Sequence, residues 1–232
     1  MGIIRSFNLS KQFGFFYAIK DFTFEIDESS TFGVIGPNGA GKTTLIKLLS
    51  GLLSPTHGKI IIDGMNYIDH PKNIKQNIGV ITDRSFLYED LTIYENLKFY
   101  SNLYKNSKKS QIREKIEKFL EHFNLQDWIF EPIQNLSKGM KQKVEIIRVL
   151  MHNPPILILD EPFSSIDRKT IPLIIKLFVE IQNREKKTIV FSTHNIELAQ
   201  QLCDEILIIN KGNIKQILGK NDMSIEKIKA YM

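Results

Sequence analysis

Gly36-Pro37-Asn38-Gly39-Ala40-Gly41-Lys42-Thr43-Thr44 sets glycines, a lysine and a hydroxyl at the spacing of a phosphate-binding loop. The glycines let the backbone curl so that successive N–H groups point inward. A helix opening at Gly41 adds its own unpaired N–H groups and the positive end of its dipole. In such a loop Lys42 reaches the β and γ phosphates of a nucleotide, and Thr43 offers a hydroxyl to Mg²⁺. That chemistry also needs a carboxylate in the metal shell and a group to take a proton from water. Ile156-Leu157-Ile158-Leu159-Asp160-Glu161 ends an apolar run in two carboxylates. Asp160, at the tip of a strand, suits the metal, and Glu161, one residue further on, suits the proton. His194, after Phe191-Ser192-Thr193, can donate a hydrogen bond to a γ phosphate from the end of another strand. Ser137, in Leu136-Ser137-Lys138-Gly139-Met140-Lys141-Gln142, reads as a helix N-cap, and a capped helix start is also an anion site. Taken singly, Ser137 is an ordinary cap and His194 an ordinary surface histidine. Their company with Lys42 and Glu161 gives them meaning.

The elements that must hold these groups alternate. Residues 3 to 9 and 21 to 27 read as short strands, the second through the alternation of Phe22, Phe24 and Ile26 with Thr23, Glu25 and Asp27. Thr31 to Ile35 is an apolar strand running into the glycine-rich turn. From Lys42 the period becomes helical, with Leu45, Leu48, Leu49 and Leu52 on one face. Strands follow at Lys59 to Asp63 and Ile78 to Ile81. From about 86 to 152 the apolar spacing is helical throughout, as in an inserted helical lobe. After Pro154-Pro155 come a strand at Ile156 to Leu159, a helix near 170 to 185, a strand at Thr188 to Ser192, a helix near 195 to 202 and a strand at Glu205 to Ile209. Strands alternating with helices predict an α/β fold whose mainly parallel sheet is covered on both faces.

Composition excludes several classes. A 232-residue chain with 42% hydrophobic residues can bury a core and is no disordered tail. Its longest apolar stretches are short or broken by Lys176 and Glu180, so any membrane role is borrowed from a partner. The net charge of +5 is spread along the chain, and the densest basic cluster, Lys105 to Lys118, is interrupted by Glu114 and Glu117. Nucleic acid is therefore disfavoured as a partner. Cys203 is the only cysteine, and the first residues lack the pattern of a secretory leader, so a cytoplasmic setting is expected. Met1 to Ser6 fits the loose myristoylation pattern with no second anchoring signal and reads as coincidence.

With these pieces in chain order, the sequence resembles the ATP-binding cassette ATPases, the nucleotide-binding subunits of membrane transporters. The resemblance covers essentially the whole chain. Gly36 to Thr44 looks like the family's Walker A loop and Ile156 to Glu161 its Walker B strand with catalytic glutamate. Ser164 to Asp167 looks like its D-loop, His194 its switch histidine and Leu136 to Gln142 its signature. Phe13 falls where the family places an aromatic that stacks on adenine. The resemblance implies a P-loop nucleotide triphosphatase core with a mainly parallel sheet, an antiparallel β subdomain and an inserted helical subdomain. Core and β subdomain would span about 1–85 and 154–220, the helical subdomain about 86–153 and a C-terminal tail about 221–232. It further implies ATP with Mg²⁺ and a head-to-tail homodimer or heterodimer in which Ser137 and Gly139 complete the partner's γ-phosphate cage. It also implies a separately encoded transmembrane permease that holds the subunit at the cytoplasmic face of the membrane.

Two residues depart from the family's pattern. Asp83 stands where a glutamine usually touches Mg²⁺ and water; it is shorter and charged, and retains the capacity to bind the metal. Lys138 replaces the signature's first glycine. The Ser-Lys-Gly-Met form with an acidic residue at 83 resembles the branch that drives exporters of antibiotics, lantibiotics and polymers. Phe86, Leu87, Tyr88 and Tyr94 lie where the family docks its membrane subunit, and some of them should be exposed. The rival reading is a soluble cassette ATPase acting on ribosomes or DNA; such relatives carry fused cassettes or long coiled-coil arms, which this chain lacks. A guanine-specific switch would want Asn-Lys-x-Asp, and Asn210-Lys211-Gly212-Asn213 misses the last residue.

Overall fold

The computed structural model describes residues 2–104 and 111–232. Lys105 to Ser110 of the basic cluster and Met1 lie outside them. Two sheets form. Strands β1 (Ile4–Phe13), β2 (Phe16–Ile26), β4 (His57–Ile62) and β5 (Met65–Asn66) make an antiparallel sheet in the order β2-β1-β4-β5. Strands β3 (Thr31–Ile35), β6 (Ile78–Ile81), β7 (Ile156–Leu159), β8 (Thr188–Thr193), β9 (Glu205–Asn210) and β10 (Asn213–Gly219) make the second, in the order β10-β9-β3-β8-β7-β6. It is parallel except for the β9–β10 hairpin.

The second sheet is covered on both faces, which is why β3, β7 and β8 are apolar runs rather than alternations. Ile156 and Ile158 of β7 join Phe32, Val34 and Val190 against the antiparallel sheet and helices α1 (Lys42–Leu49) and α2 (Pro71–Asn77). Leu157 and Leu159 point the other way, with Phe191, toward α5 (Lys138–Met151), α6 (Ile171–Glu185), α7 (Ile196–Leu202) and α8 (Ile225–Tyr231). Helices α3 (Ile93–Leu103), α4 (Ile112–His122) and α5 fall between β6 and β7 in the chain. Thr92 and Glu95 open α3 with a reciprocal capping box, and α4 buries Ile112, Ile116 and Leu120 along one stripe.

A buried polar junction fastens α5 to the sheet. Glu145 accepts hydrogen bonds from Ser85 Oγ and Phe86 N, both at 2.7 Å, and from Arg148 Nε at 2.7 Å. Arg148 donates to Val80 O at 2.7 Å, and its guanidinium lies 5.2 Å from the Phe86 ring and 5.0 Å from that of Tyr100. Beside it His152 stacks on Tyr104, and its Nε2 is 3.3 Å from Ile78 O. Burial lowers the His152 pKa to about 4.

The structure departs from the expected elements in several places. β1 and β2 run to a tight turn at Gly14-Phe15, with Gly14 at φ +57°; register shifts near Leu9 and Lys11 break the alternation that would have revealed their length. Helix α1 stops at Leu49, so Leu52 lies beyond it and is exposed. Helix α2, β5 and β10 were not anticipated. Asn210 to Asn213 is the β9–β10 hairpin, its turn formed by Lys211 and Gly212 at positive φ. The expected tail contains α8, whose Ile228 is buried in the core.

Candidate active site

Parallel pairing puts the carboxyl ends of β3, β8 and β7 side by side, the edge where open α/β sheets bind ligands. Ile35 pairs with Thr193, and Leu159 with Phe191. The loop from Gly36, the pair Asp160-Glu161 and His194 therefore leave three adjacent strands at one edge.

The loop's glycines have different tasks. A Cβ on Gly36 would lie 2.2 Å from Ile209 O, and one on Gly41, at φ +110°, 2.6 Å from Ala18 O. Both positions exclude a side chain by close approach of the backbone. Gly39, at φ +78°, has open space around it, so only its conformation demands glycine. Ala40 N donates to Pro37 O at 3.2 Å, and Leu45 N to Gly41 O at 2.9 Å as α1 begins. Lys42, at the first position of α1, is 7% exposed; its Nζ donates to Gly36 O at 2.8 Å and Pro37 O at 3.2 Å and stands 3.9 Å from Glu161 Oε1. Burial lowers the Lys42 pKa, and the carboxylates of Glu161 and Asp160 act against that shift.

Ser192 ties the two carboxylate residues together. It donates to Asp160 Oδ1 and accepts from Glu161 N at 2.9 Å. This holds Glu161 at φ +44°, a left-handed conformation rare for a side-chain-bearing residue. The Glu161 carboxylate lies 3.0 and 3.1 Å from His194 Nδ1, and His194 is 62% exposed. Gly39, Gly41, Lys42, Thr43, Thr44 and Glu161 line an open cleft of about 270 Å³, together with Asn38, Phe16 and Ala18.

Among the described residues no group of three or more His, Cys, Asp or Glu side chains could hold a metal by itself. The oxygen donors here, the Thr43 hydroxyl and the Asp160 carboxylate, fit Mg²⁺, which keeps several waters and takes one or two protein ligands beside substrate phosphates.

Four sets of expected residues lie outside the lining of the cleft. Ser137 caps α5 by accepting from Met140 N at 3.2 Å, and a Cβ on Gly139 would lie 2.9 Å from Ser165 O. Gln142 donates to Pro162 O at 3.2 Å and Lys143 pairs with Asp167 at 3.5 Å, so the start of α5 rests on the loop after Glu161. Asp83 pairs with Lys47 of α1 at 2.8 Å, and the hydrogen bond from Lys47 holds its carboxyl below the usual range. Phe13 is half exposed, with Lys11 Nζ 5.2 Å from its ring centroid, directly across the hairpin from Phe16. Phe86 and Tyr88 are exposed, and Tyr88 packs on Phe99 and Tyr100, whereas Leu87 is buried and Tyr94 partly so.

Sequence reasoning missed Ser192 and Phe16. Ser192 was visible only as the polar residue ending an apolar strand, and its role comes from lying across from Asp160 in the sheet. Phe16 was legible as one of four aromatics between residues 13 and 17, and its position over the cleft needed the hairpin register.

Residues 19–164, more than half of the chain, match the ABC transporter family. The ABC transporter ATP-binding protein NatA of Bacillus subtilis (strain 168) is 37% identical over 85% of this chain and 80% of its own length. The linearmycin resistance ATP-binding protein LnrL of the same organism is 32% identical over 95% and 70%. Among solved structures, the ATP-binding subunit of an ABC transporter superposes with a TM-score of 0.89 at 29% identity, over 98% of both chains. The dimeric post-hydrolysis state of the cassette MJ0796, bound to ADP and Pi, superposes with a TM-score of 0.86 at 27% identity, over 94% of this chain and 98% of that one. With a phosphate loop, a carboxylate pair and a histidine converging at one sheet edge, this chain belongs to the ATP-binding subunits of ABC transporters and is an ATPase.

Proposed function

We propose that this chain hydrolyses ATP to drive a separately encoded transmembrane permease, as an exporter, from the cytoplasmic face of the membrane. The observation that carries the reading is the triangle of Lys42, Glu161 and His194 at the mouth of the phosphate loop: 3.9 Å and 3.0 Å separate its neighbours. Backbone N–H groups from Asn38 to Thr44, with Lys42, would hold and neutralise the β and γ phosphates. Thr43 and Asp160 would hold Mg²⁺, which when bound offsets charge on the phosphate oxygens, and Asp83 could reach the same shell only by leaving Lys47. Glu161 would accept a proton from the attacking water as its oxygen bonds to the γ phosphorus; the bond from that phosphorus to the β–γ bridging oxygen breaks, giving ADP and phosphate. His194, held by Glu161, would donate to the γ phosphate. Phe13 would stack on adenine.

Ser137 and Gly139 stand apart from their own cleft, which favours service to a second copy's nucleotide in a head-to-tail dimer, homomeric or heteromeric. The MJ0796 cassette is itself described as dimeric. The exposed rings of Phe86 and Tyr88 support permease docking at the 83–88 segment. No described helix is long and apolar enough to cross a membrane, so crossing falls to that partner. Export is favoured by the Ser-Lys-Gly-Met start of α5 and by similarity to a resistance protein.

The test uses the Glu161→Gln chain co-expressed with the product of a neighbouring reading frame encoding about six apolar spans of membrane-crossing length. With Mg-ATP, that membrane protein should co-purify with the chain. Vesicles carrying the wild-type complex should then move substrate away from the ATP face. Absence of a complex, with ATP retained, overturns the permease assignment; movement toward the ATP face overturns export.

A further inference from the structure

A cavity of about 250 Å³ lies at the far end of the helix that begins at the phosphate loop. Its apolar walls are Leu48, Leu53 and Pro55 from α1 and the chain after it, Ile60 from β4, and Tyr67 and Pro71 from the connection between β5 and α2. An apolar cavity of about 150 Å³ already admits benzene. The donors in these walls are engaged within the chain: Gly51 N bonds to Leu48 O, Leu53 N to Lys47 O and Tyr67 N to Ile60 O. The Tyr67 hydroxyl donates to Ser50 O at 2.7 Å. That leaves the Ser54 hydroxyl and the Lys75 ammonium, both on exposed residues, as the side-chain donors of the lining. No carboxylate lines the cavity, and among the described residues Lys75 has no ion-pair partner. An apolar body with one anionic end is the ligand such walls fit.

Helix α1 joins this cavity to the nucleotide site. Lys42 and Thr43 open the helix at the phosphate loop, and Leu48, about 9 Å along the axis at a rise of about 1.5 Å per residue, belongs to the cavity wall. Ser50, the acceptor for Tyr67, is the helix's C-cap, and a Cβ on Gly51 would lie 2.1 Å from the Tyr67 ring. The ring therefore rests on the chain leaving α1. Leu45, Ile46 and Leu49 are fully buried, so a load on one end of the helix is passed along it rather than absorbed by bending. We propose that the cavity is an effector site for a small carboxylate with a ring-sized apolar body, recognised through Lys75, whose binding braces the end of α1 and tightens the phosphate loop's hold on its nucleotide. The effector role rests on the nucleotide reading given above; the binding site does not.

The probes are benzoate and its neutral counterpart benzyl alcohol, titrated by calorimetry into the intact chain with and without Mg-ATP. Benzoate should bind more tightly than the alcohol. Lys75→Gln, a surface change, should weaken benzoate on the order of fivefold, the ceiling for an exposed ion pair, and leave the alcohol unchanged. Leu53→Trp, which fills the cavity, should abolish both. Saturating benzoate should tighten Mg-ATP about fivefold, the lower end of ordinary coupling between sites, and Mg-ATP should tighten benzoate by the same factor. Tyr67→Phe keeps the ring and loses the bond to Ser50; it should bind benzoate as before while the coupling falls below about twofold. A wild-type chain that ignores benzoate overturns the proposal, as does benzoate binding unaltered in both Lys75→Gln and Leu53→Trp, which puts the ligand elsewhere. Benzoate bound in the cavity with no change in ATP affinity overturns the effector role. A chain that binds benzoate through Lys75 and does not bind ATP removes the nucleotide reading and leaves the cavity as a carboxylate site.

Discussion

The cleft at the carboxyl ends of β3, β7 and β8 and the junction beneath α5 both gather charged groups against a parallel sheet, and they use them in opposite ways. At the junction every strong group is consumed internally: Glu145 accepts three hydrogen bonds, and Arg148 donates to Glu145 and Val80 O while lying over two rings. Both residues are under 10% exposed. At the cleft Lys42 is equally buried, but its carboxylate neighbour Glu161 stands 3.9 Å away and shares its oxygens with a histidine that is mostly exposed. Saturation makes a fastening, whereas capacity left facing an opening makes a site. The same residue types, a carboxylate, a cation and an imidazole, serve in both places.

The most demanding way to break this contrast is to exchange one carboxylate in each region for a neutral group. Glu161→Gln should lower phosphate release on the order of 10²- to 10⁴-fold, the span of a general base, with ATP affinity retained and the melting temperature little changed. Undiminished turnover removes Glu161 from that role. Glu145→Ala should do the reverse. It strands a buried guanidinium and two donors, at a cost of about 3–5 kcal/mol by denaturant unfolding. Replacing Glu145 and Arg148 together by leucine should cost clearly less than Glu145→Ala alone, because no charge is then left without a partner. A Glu145→Ala chain as stable as the wild type would show that the junction is no fastening.

How much of this was legible follows the same division. The phosphate loop is a contiguous run whose every member has a local reason, and β3, Lys42 and α1 fall where the pattern puts them. Asp160, Glu161 and His194 were readable because each follows an apolar strand. Ser192 was not readable, since its bond to Asp160 exists only once β7 and β8 are in register. The junction escaped for the same reason: Glu145 and Ser85 are 60 positions apart and meet only when α5 folds back on β6. Phe13 was identified from resemblance alone, and the length of its hairpin was hidden by register shifts near Leu9 and Lys11. The inserted helices announced themselves through period, whereas α2, a single short helix with only Ile74 buried, carried too weak a pattern.

Acid titration separates the two regions on a smaller scale. His152, 7% exposed at the junction, has its pKa lowered to about 4 by burial, against about 6.5 in an unfolded chain. The folded state favours the neutral ring. Its contribution is complete above the unfolded value and declines as pH falls from about 6.5 toward 4, where the unfolded chain takes up a proton that the native one refuses. The full span is worth about 3 kcal/mol as an upper figure. His152→Phe, which keeps a ring to stack on Tyr104, should flatten the stability profile between pH 6.5 and 4 while leaving ATP affinity at pH 7 unchanged. An undiminished slope in that variant would assign the pH dependence to other groups.

Asp83 lies between the two regions and gives the finest discrimination. Its carboxylate and Lys47 are 2.8 Å apart, but their side chains are 49% and 31% exposed, so the pair belongs to the weak class of ion pairs, worth roughly 0–1 kcal/mol. The hydrogen bond from Lys47 holds the Asp83 carboxyl below its usual range, so whatever the pair contributes is present above the unfolded carboxyl value near 4 and is lost only as pH falls further. At neutral pH, Asp83→Gln should therefore leave the melting temperature almost unchanged. Glutamine is longer and uncharged; freed from Lys47, it can reach toward the phosphate cleft without bringing a negative charge to it, and hydrolysis should be preserved or raised. Lys47→Ala serves as the partner measurement, because it releases the carboxylate without removing it. If Asp83 acts at the metal only when detached from α1, Lys47→Ala should strengthen the dependence of turnover on Mg²⁺ concentration, whereas a purely structural pair would leave that dependence as it is. An Asp83→Gln chain that binds Mg-ATP and does not turn over would give the carboxylate a task that glutamine cannot perform, and Asp83 would then belong with Glu161 rather than with Glu145.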